Sequence, residues 1–253
     1  MSASLFGQVL HTESFNVIID TSKVVKGSFM PSFRYRNVEE DFVEIENTAD
    51  VFIRLGNHSF SIANKLEYAI YGDENLLSGG FVYLEYARLG SKNKMAIEPF
   101  FQMHWQDIRG LDRKYAGGSN IRWIVLVKPD MGVFAGAGAL YESEKWNYSG
   151  VSDSSLIPPE AHPVEVSRFR GTSYLSLKKA FDDLFDLDLS VYFQPTFSAP
   201  FDDYRMAASS ELTYNFSEHF GLTLQYQNIF DSKPEVPIDR LYNDVTLGFV
   251  LSF

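Results

Sequence analysis

Residues Tyr242 to Phe253 read YNDVTLGFVLSF, and their two parities differ completely. Phe253, Leu251, Phe249, Leu247 and Val245 share one parity; Ser252, Val250, Gly248, Thr246 and Asp244 share the other. In a strand, alternate residues point to opposite faces. One face of this strand is therefore wholly apolar and the other is small or polar, with an acid on it. A strand of a transmembrane β-barrel needs that division, because lipid lies outside and water or polar packing inside. The stretch predicts an all-β, up-and-down antiparallel transmembrane barrel closed by this strand.

The rest of the chain repeats the pattern. Alternation starts at Gly27, where Phe29, Pro31, Phe33 and Tyr35 oppose Ser32, Arg34 and Arg36. Leu55-Gly56-Asn57-His58 reads as a tight hairpin. Lys128-Pro129-Asp130 is another short turn, and the longest loop runs from Asn147 to Pro163. After Asp107 to Asp112 the next strand is read at Ile121, Trp123 and Val125. Leu187, Leu189, Val191 and Phe193 against Asp186, Asp188, Ser190 and Tyr192 give one of the clearest strands. About twelve strands result, an even number as in bacterial single-chain barrels. Connections after even-numbered strands are short, and the long ones lie at the other end. That asymmetry places both termini in the periplasm. Pro31, Pro99 and Pro195 fall inside strands, where bulges or strand ends are expected. A soluble β-domain is the alternative architecture.

Bulk properties agree. A net charge of −11 offers no basic patch to neutralise nucleic-acid phosphates. The mean hydropathy of −0.14 suits strands that give half their residues to a polar lumen. No run of about 18 apolar residues exists to form a transmembrane helix. Aromatic residues at 15% suit girdles at the two interfaces. Cysteine is absent, which fits an oxidising compartment reached without disulfides. The opening MSASLFGQVLHTESF lacks the charged and apolar regions of a signal peptide, so a barrel reading expects a precursor signal missing here. Residues 1–26 are read as an N-terminal periplasmic extension or plug, and residues 27–253 as the barrel.

Four stretches carry a family resemblance. They are IEPFFQMHWQDIRGLDRKYAGGSNIRW, GVFAGAGALYESEKW, YRMAASSELTYNFSEHFGLTLQYQNIFDSKPE and VTLGFVLSF, spread over Ile97 to Phe253. With them the chain resembles the bacterial outer-membrane proteins grouped as domain of unknown function 481, which include a salt-induced outer-membrane protein. The resemblance implies a Gram-negative outer-membrane barrel. It implies no agreed activity and no catalytic residues.

The inward parity collects the charges. Its acids are Glu44, Glu46, Asp50, Glu67, Glu85, Glu98, Glu142, Glu144, Asp186, Asp188, Glu211 and Asp244. Its bases are Arg34, Arg36, Lys65, Arg122, Arg168, Arg170 and Arg205. An Arg or Lys facing lipid near the midplane costs about 2–4 kcal/mol, so the membrane itself enforces this parity. Two readings stay open: an ion-pair network that fills a narrow barrel, or a water-filled path with an acid-rich, cation-favouring wall. A scaffold for other envelope proteins is a third. As an enzyme, the chain would be an outer-membrane lipid- or lipopolysaccharide-modifying hydrolase using His104, the one histidine on a clear inward face. No serine sits in a GxSxG turn to serve it. GVFAGAGAL lacks the spacing of a dinucleotide loop; Gly136 and Gly138 instead make room for bulky side chains across the lumen. No cofactor and no metal-ligand spacing is read. Outer-membrane lipid and lipopolysaccharide are the expected surroundings. The loop acids Glu39, Glu40, Asp202 and Asp203 are read as solvated or as bridging lipopolysaccharide through divalent cations.

Overall fold

A computed structural model describes residues 24–37, 41–90, 94–181 and 184–252. The expected N-terminal extension lies outside them except for its last residues, and Val25 and Lys26 already belong to the first strand. The strands are β1 (Val25–Asn37), β2 (Asp41–Leu55), β3 (His58–Tyr71), β4 (Glu74–Leu89), β5 (Met95–Gln106) and β6 (Leu111–Lys128). They continue as β7 (Met131–Trp146), β8 (Val164–Phe181), β9 (Phe185–Pro195), β10 (Tyr204–Asn215), β11 (Phe220–Asp231) and β12 (Leu241–Ser252). Each pairs antiparallel with the next, and β12 returns to β1, so the sheet is a closed barrel. Closure removes the free edges that a membrane would not tolerate.

The molecule is inside out relative to a soluble protein. On β12, Phe249, Leu247 and Val245 are 71%, 66% and 61% exposed, while Asp244 is 8% exposed. Buried positions include Lys65, Glu98, Lys114, Arg122, Glu142, Glu144, Arg170 and Arg205. An apolar exterior and a charged interior follow from lipid as the outer solvent. Connections at one end are short (56–57, 129–130, 182–184), and the long ones (147–163, 196–203, 232–240) gather at the other.

Two expectations need correction. β6 begins at Leu111, well before Ile121. The added residues carry Arg113, Gly117 and Ser119 on the outward parity, so no apolar stripe announces them, yet they pair with β5 and β7. The register shifts fall at Ala69/Ile70, His104/Gln106, Leu111/Arg113 and Ile124/Leu126, none of them at a proline. Pro195 does end a strand. At Pro99 the β4–β5 ladder has a gap between Glu85↔Phe100 and Arg88↔Ile97, with no change of register.

Pro31 has a different consequence. Val24 C=O accepts from Arg54 N–H at 2.7 Å, and Ser252 N–H donates to His219 C=O at 2.9 Å. Backbone groups alternate sides along an antiparallel strand. Odd residues of β1 thus turn their N–H and C=O toward β12, and odd residues of β12 toward β1. Among the described residues the two strands pair only at Ser28↔Ser252 and Phe29↔Leu251. The next bonded pair in that register is Pro31 with Phe249, and proline has no N–H to give. The seam parts there. From Pro31 to Asn37, β1 pairs with β2 and, among the described residues, with no other strand.

Candidate functional site

Inward side chains from all walls meet in the lumen, and most of them meet as ion pairs. The largest cluster lies toward the long loops. Arg205 on β10 is fully buried and reaches back to β7, where Nη1 lies 2.7 Å from Glu144 Oε1 and 3.1 Å from Glu142 Oε2. Its Nε donates to Asp231 on β11 at 2.8 Å. Lys114 on β6 bridges Glu142 and Glu144, each at 3.0 Å. Arg170 Nε donates to Glu142 at 2.6 Å, and its Nη2 lies 3.0 Å from Asp203. Arg168 pairs with Asp203 at 3.0 Å and with Glu235. A buried charge is costly unless paired and hydrogen-bonded; here cations and carboxylates interleave and answer one another.

Above this cluster the long loops close in. Val236 from the β11–β12 loop packs with Leu111 and Trp146, with Tyr148, Val151, Val164 and Ile238 around them. Arg109 Nη2 donates to Asp239 C=O at 3.4 Å, and its guanidinium lies 5.1 Å from the Tyr242 ring. The β11–β12 loop is thereby tied to the barrel by an apolar contact and by the Arg168–Glu235 pair.

Deeper in the lumen, Arg122 meets Glu98 at 2.7 Å, and the Tyr174 hydroxyl crosses from β8 to donate to Glu98 at 2.9 Å. A Cβ at Gly136 would overlap the Tyr174 ring, so Gly136 makes the room expected of it. Gly138 instead lies against Ser119 and Asn120. Lys178 pairs with Asp188. Glu211 accepts from Gln225 Nε2 at 2.7 Å, and Asp186 from Asn215 Nδ2 at 2.7 Å. The Tyr83 hydroxyl donates to Glu85 at 2.5 Å. On the β2–β3 wall, Lys65 meets Glu46 at 2.8 Å and also Glu67. Arg34 and Glu44 pair at 2.7 Å in a more open position.

The lumen is not evenly packed. Inward residues of β3 to β8 are mostly buried, whereas Ser28, Glu44, Glu46, Asp50, Gln225, Gln227 and Thr246 are only half-buried. A more loosely packed lane therefore follows the β10–β12, β1 and β2 walls.

The inward residues expected from the sequence all lie on lumen-facing registers. His104 is 1% exposed and neither ring nitrogen has a hydrogen-bond partner among the described residues. Asp203, expected in solvent, is buried against Arg168 and Arg170 because its loop folds back over the lumen. Glu39 and Glu40 lie outside the described residues. Lys114, Lys178, Asp231 and Glu235 were not anticipated. Lys114 lies on the part of β6 without an apolar stripe, and Asp231 and Glu235 lie where the sequence reads only a loop. Among the described residues no group of His, Asp or Glu is arranged to hold a metal ion.

The profile of the family described as "Protein of unknown function, DUF481" matches residues 46–253. The chain belongs to the DUF481 family. The match reaches well upstream of Ile97, so β2 to β4 share in it. No curated protein matches this DUF481 chain. Among solved structures it is similar to the NanC porin, with 11% identity, a TM-score of 0.46, and coverage of 90% of this chain and 98% of that one. It is also similar to the translocator domain of autotransporter NalP from Neisseria meningitidis, at 10% identity and a TM-score of 0.46 over 90% and 86%. The toluene transporter TodX of Pseudomonas putida shares 9% identity at a TM-score of 0.41 over 89% and 78%. At these values the DUF481 barrel takes no function from them.

Proposed function

We propose that this DUF481 chain is an integral outer-membrane barrel, with both termini periplasmic, whose lumen is held largely shut by its own ion pairs. It conducts little or nothing, and what it conducts is cationic. The observation that carries this is Arg205, fully buried yet bonded to Glu142, Glu144 and Asp231, which ties the β10 wall to the β7 wall inside the lumen. Small barrels are commonly filled by side chains rather than open. The half-buried lane carries Glu44, Glu46 and Asp50, so small cations are favoured along it. The apolar outer face supports the membrane location, and the gathering of long loops at one end supports the orientation. With the lumen shut, the long-loop end serves as an envelope scaffold, set among lipopolysaccharide. The hydrolase alternative gains no support, since His104 is sealed from solvent and, among the described residues, its ring nitrogens are bonded to no nucleophile. Planar-bilayer recording in a salt gradient tests the reading. Small or absent currents with a cation-selective reversal potential are expected, and large anion-selective channels overturn it.

A further inference from the structure

The parted seam stands beside an unbalanced group of charges. Lys65, 1% exposed, meets both Glu46 and Glu67. Asp244, on the same inward face of β12 as Tyr242, adds a third carboxylate on which the charges of Lys65 and Glu46 act. Among the described residues Lys65 is the cation in ion-pair contact with this group, whereas around Arg205 the cations Lys114, Arg168 and Arg170 also answer the carboxylates. Arg34 is committed to Glu44. The Tyr242 hydroxyl is nine-tenths buried and has no hydrogen-bond partner among the described residues. The charges acting on it are those of Asp244, Glu67 and Arg109.

The seam gives this group a side entrance. Above Phe29 the backbone N–H and C=O groups of β1 and β12 are unpaired with each other. Exposed backbone in a membrane is tolerated only where it lines a wet cavity or is covered. Behind the seam Ser32 is exposed and Ser28 and Glu46 are only half-buried, which leaves room for water there. The lipid-side lips carry Phe33 and Tyr35 on β1 and Leu247 and Phe249 on β12, 69%, 54%, 66% and 71% exposed. Apolar lips in front of an acid-rich pocket fit a molecule with an apolar body and a cationic head. Among the described residues no group of carboxylates is arranged to hold a metal ion, and an organic ammonium joins the positive charge these acids favour to the apolar body the lips favour.

We propose that the β1–β12 seam is a lateral portal for cationic amphiphiles, whose ammonium head is taken by Glu46, Glu67 and Asp244 beside the Tyr242 hydroxyl. This rests on the membrane-barrel reading above. It does not rest on conduction from end to end.

The test uses the full chain refolded in phosphatidylcholine vesicles. Three probes share one diphenylhexatriene rod and differ in having a trimethylammonium head, no head, or a propionate head. Adducts are counted by native mass spectrometry after transfer to a neutral detergent. The expected result is one saturable adduct with the ammonium probe alone. Glu46→Gln with Asp244→Asn weakens it by roughly tenfold or more, as loss of charge-assisted contacts implies. Tyr242→Phe, which keeps the ring over Arg109, weakens it less. Pro31→Val restores the missing donor to Phe249, lets the seam zip further, and slows loading from the membrane. Heat-modifiable mobility on the same samples separates failure of the barrel from failure of this site. Equal binding of all three probes, or undiminished binding in the Glu46/Asp244 variant, overturns the site. Wild-type loading by folded Pro31→Val, or a polypeptide strand found held in the seam, overturns the portal.

Discussion

Arg205 and Glu144 form a fork-on-fork pair across two intervening strands, with Nη1–Oε1 at 2.7 Å and Nη2–Oε2 at 3.0 Å. The two residues are 61 positions apart in the chain and both are sealed from solvent. Removing one partner of a buried pair leaves the other uncompensated, at a cost of about 3–5 kcal/mol. Arg205→Met strands Glu142 and Glu144 with only Lys114, Arg168 and Arg170 to answer them. It is expected to lower unfolding stability in bilayers by several kcal/mol of that order and to raise cation conductance. Arg205→Lys keeps the charge but loses the fork, so it falls between the two. A urea titration in vesicles with stability equal to wild type contradicts the assigned role.

Gly136 and Tyr174 form the second test. A methyl at Gly136 overlaps the Tyr174 ring, which is itself held by Glu98 and Arg122. Overpacking of this kind costs about 1–3 kcal/mol. Gly136→Ala is expected to be destabilising in the wild type and nearly neutral in a Tyr174→Ala background. Additive effects in the double-mutant cycle would show that the ring does not fill the space above Gly136.

The faces of β12 are tested by adjacent substitutions. Leu247→Arg places a cation against lipid, at about 2–4 kcal/mol near the midplane. Thr246→Arg places it in the half-buried lane, near Asp244. Assembly yield into vesicles is expected to fall much more for Leu247→Arg. Equal yields mean that the parity is misassigned.

The loop over the lumen is held by Val236 under Trp146 and by Glu235 on Arg168. Val236→Ser with Glu235→Gln should free it and increase open-state conductance without loss of the barrel's heat-modifiable mobility. Unchanged currents would move the occlusion wholly to the buried cluster beneath.

Much of this architecture is legible in the sequence because lipid writes a period of two into each strand, as Val245 to Phe253 displays. Arg34, Glu98, Arg168 and Arg205 are readable as inward for the same reason. Their partners are not. Register is set between strands, so nothing near Arg205 announces Glu142, Glu144 or Asp231. Lys114 was hidden because Gly117 and Ser119 interrupt the outward stripe. Asp203 and Glu235 were hidden because a polar loop gives no sign that it folds inward. Pro31 was visible as an anomaly, but its meaning depends on which neighbour its missing N–H would have faced.

The account's central claim is that one side of the lumen is packed dry and the other is wet. The chain has no cysteine, so single cysteines report cleanly. Thr172→Cys lies on the packed β8 wall, where Thr172 is 6% exposed, and Ser32→Cys lies on the inward face of β1, where Ser32 is exposed. With a small, membrane-impermeant thiol reagent added to the protein in vesicles, Ser32→Cys is expected to be labelled, while Thr172→Cys stays protected until the barrel is unfolded. Equal, rapid labelling at both positions would reveal an open pore and contradict the account.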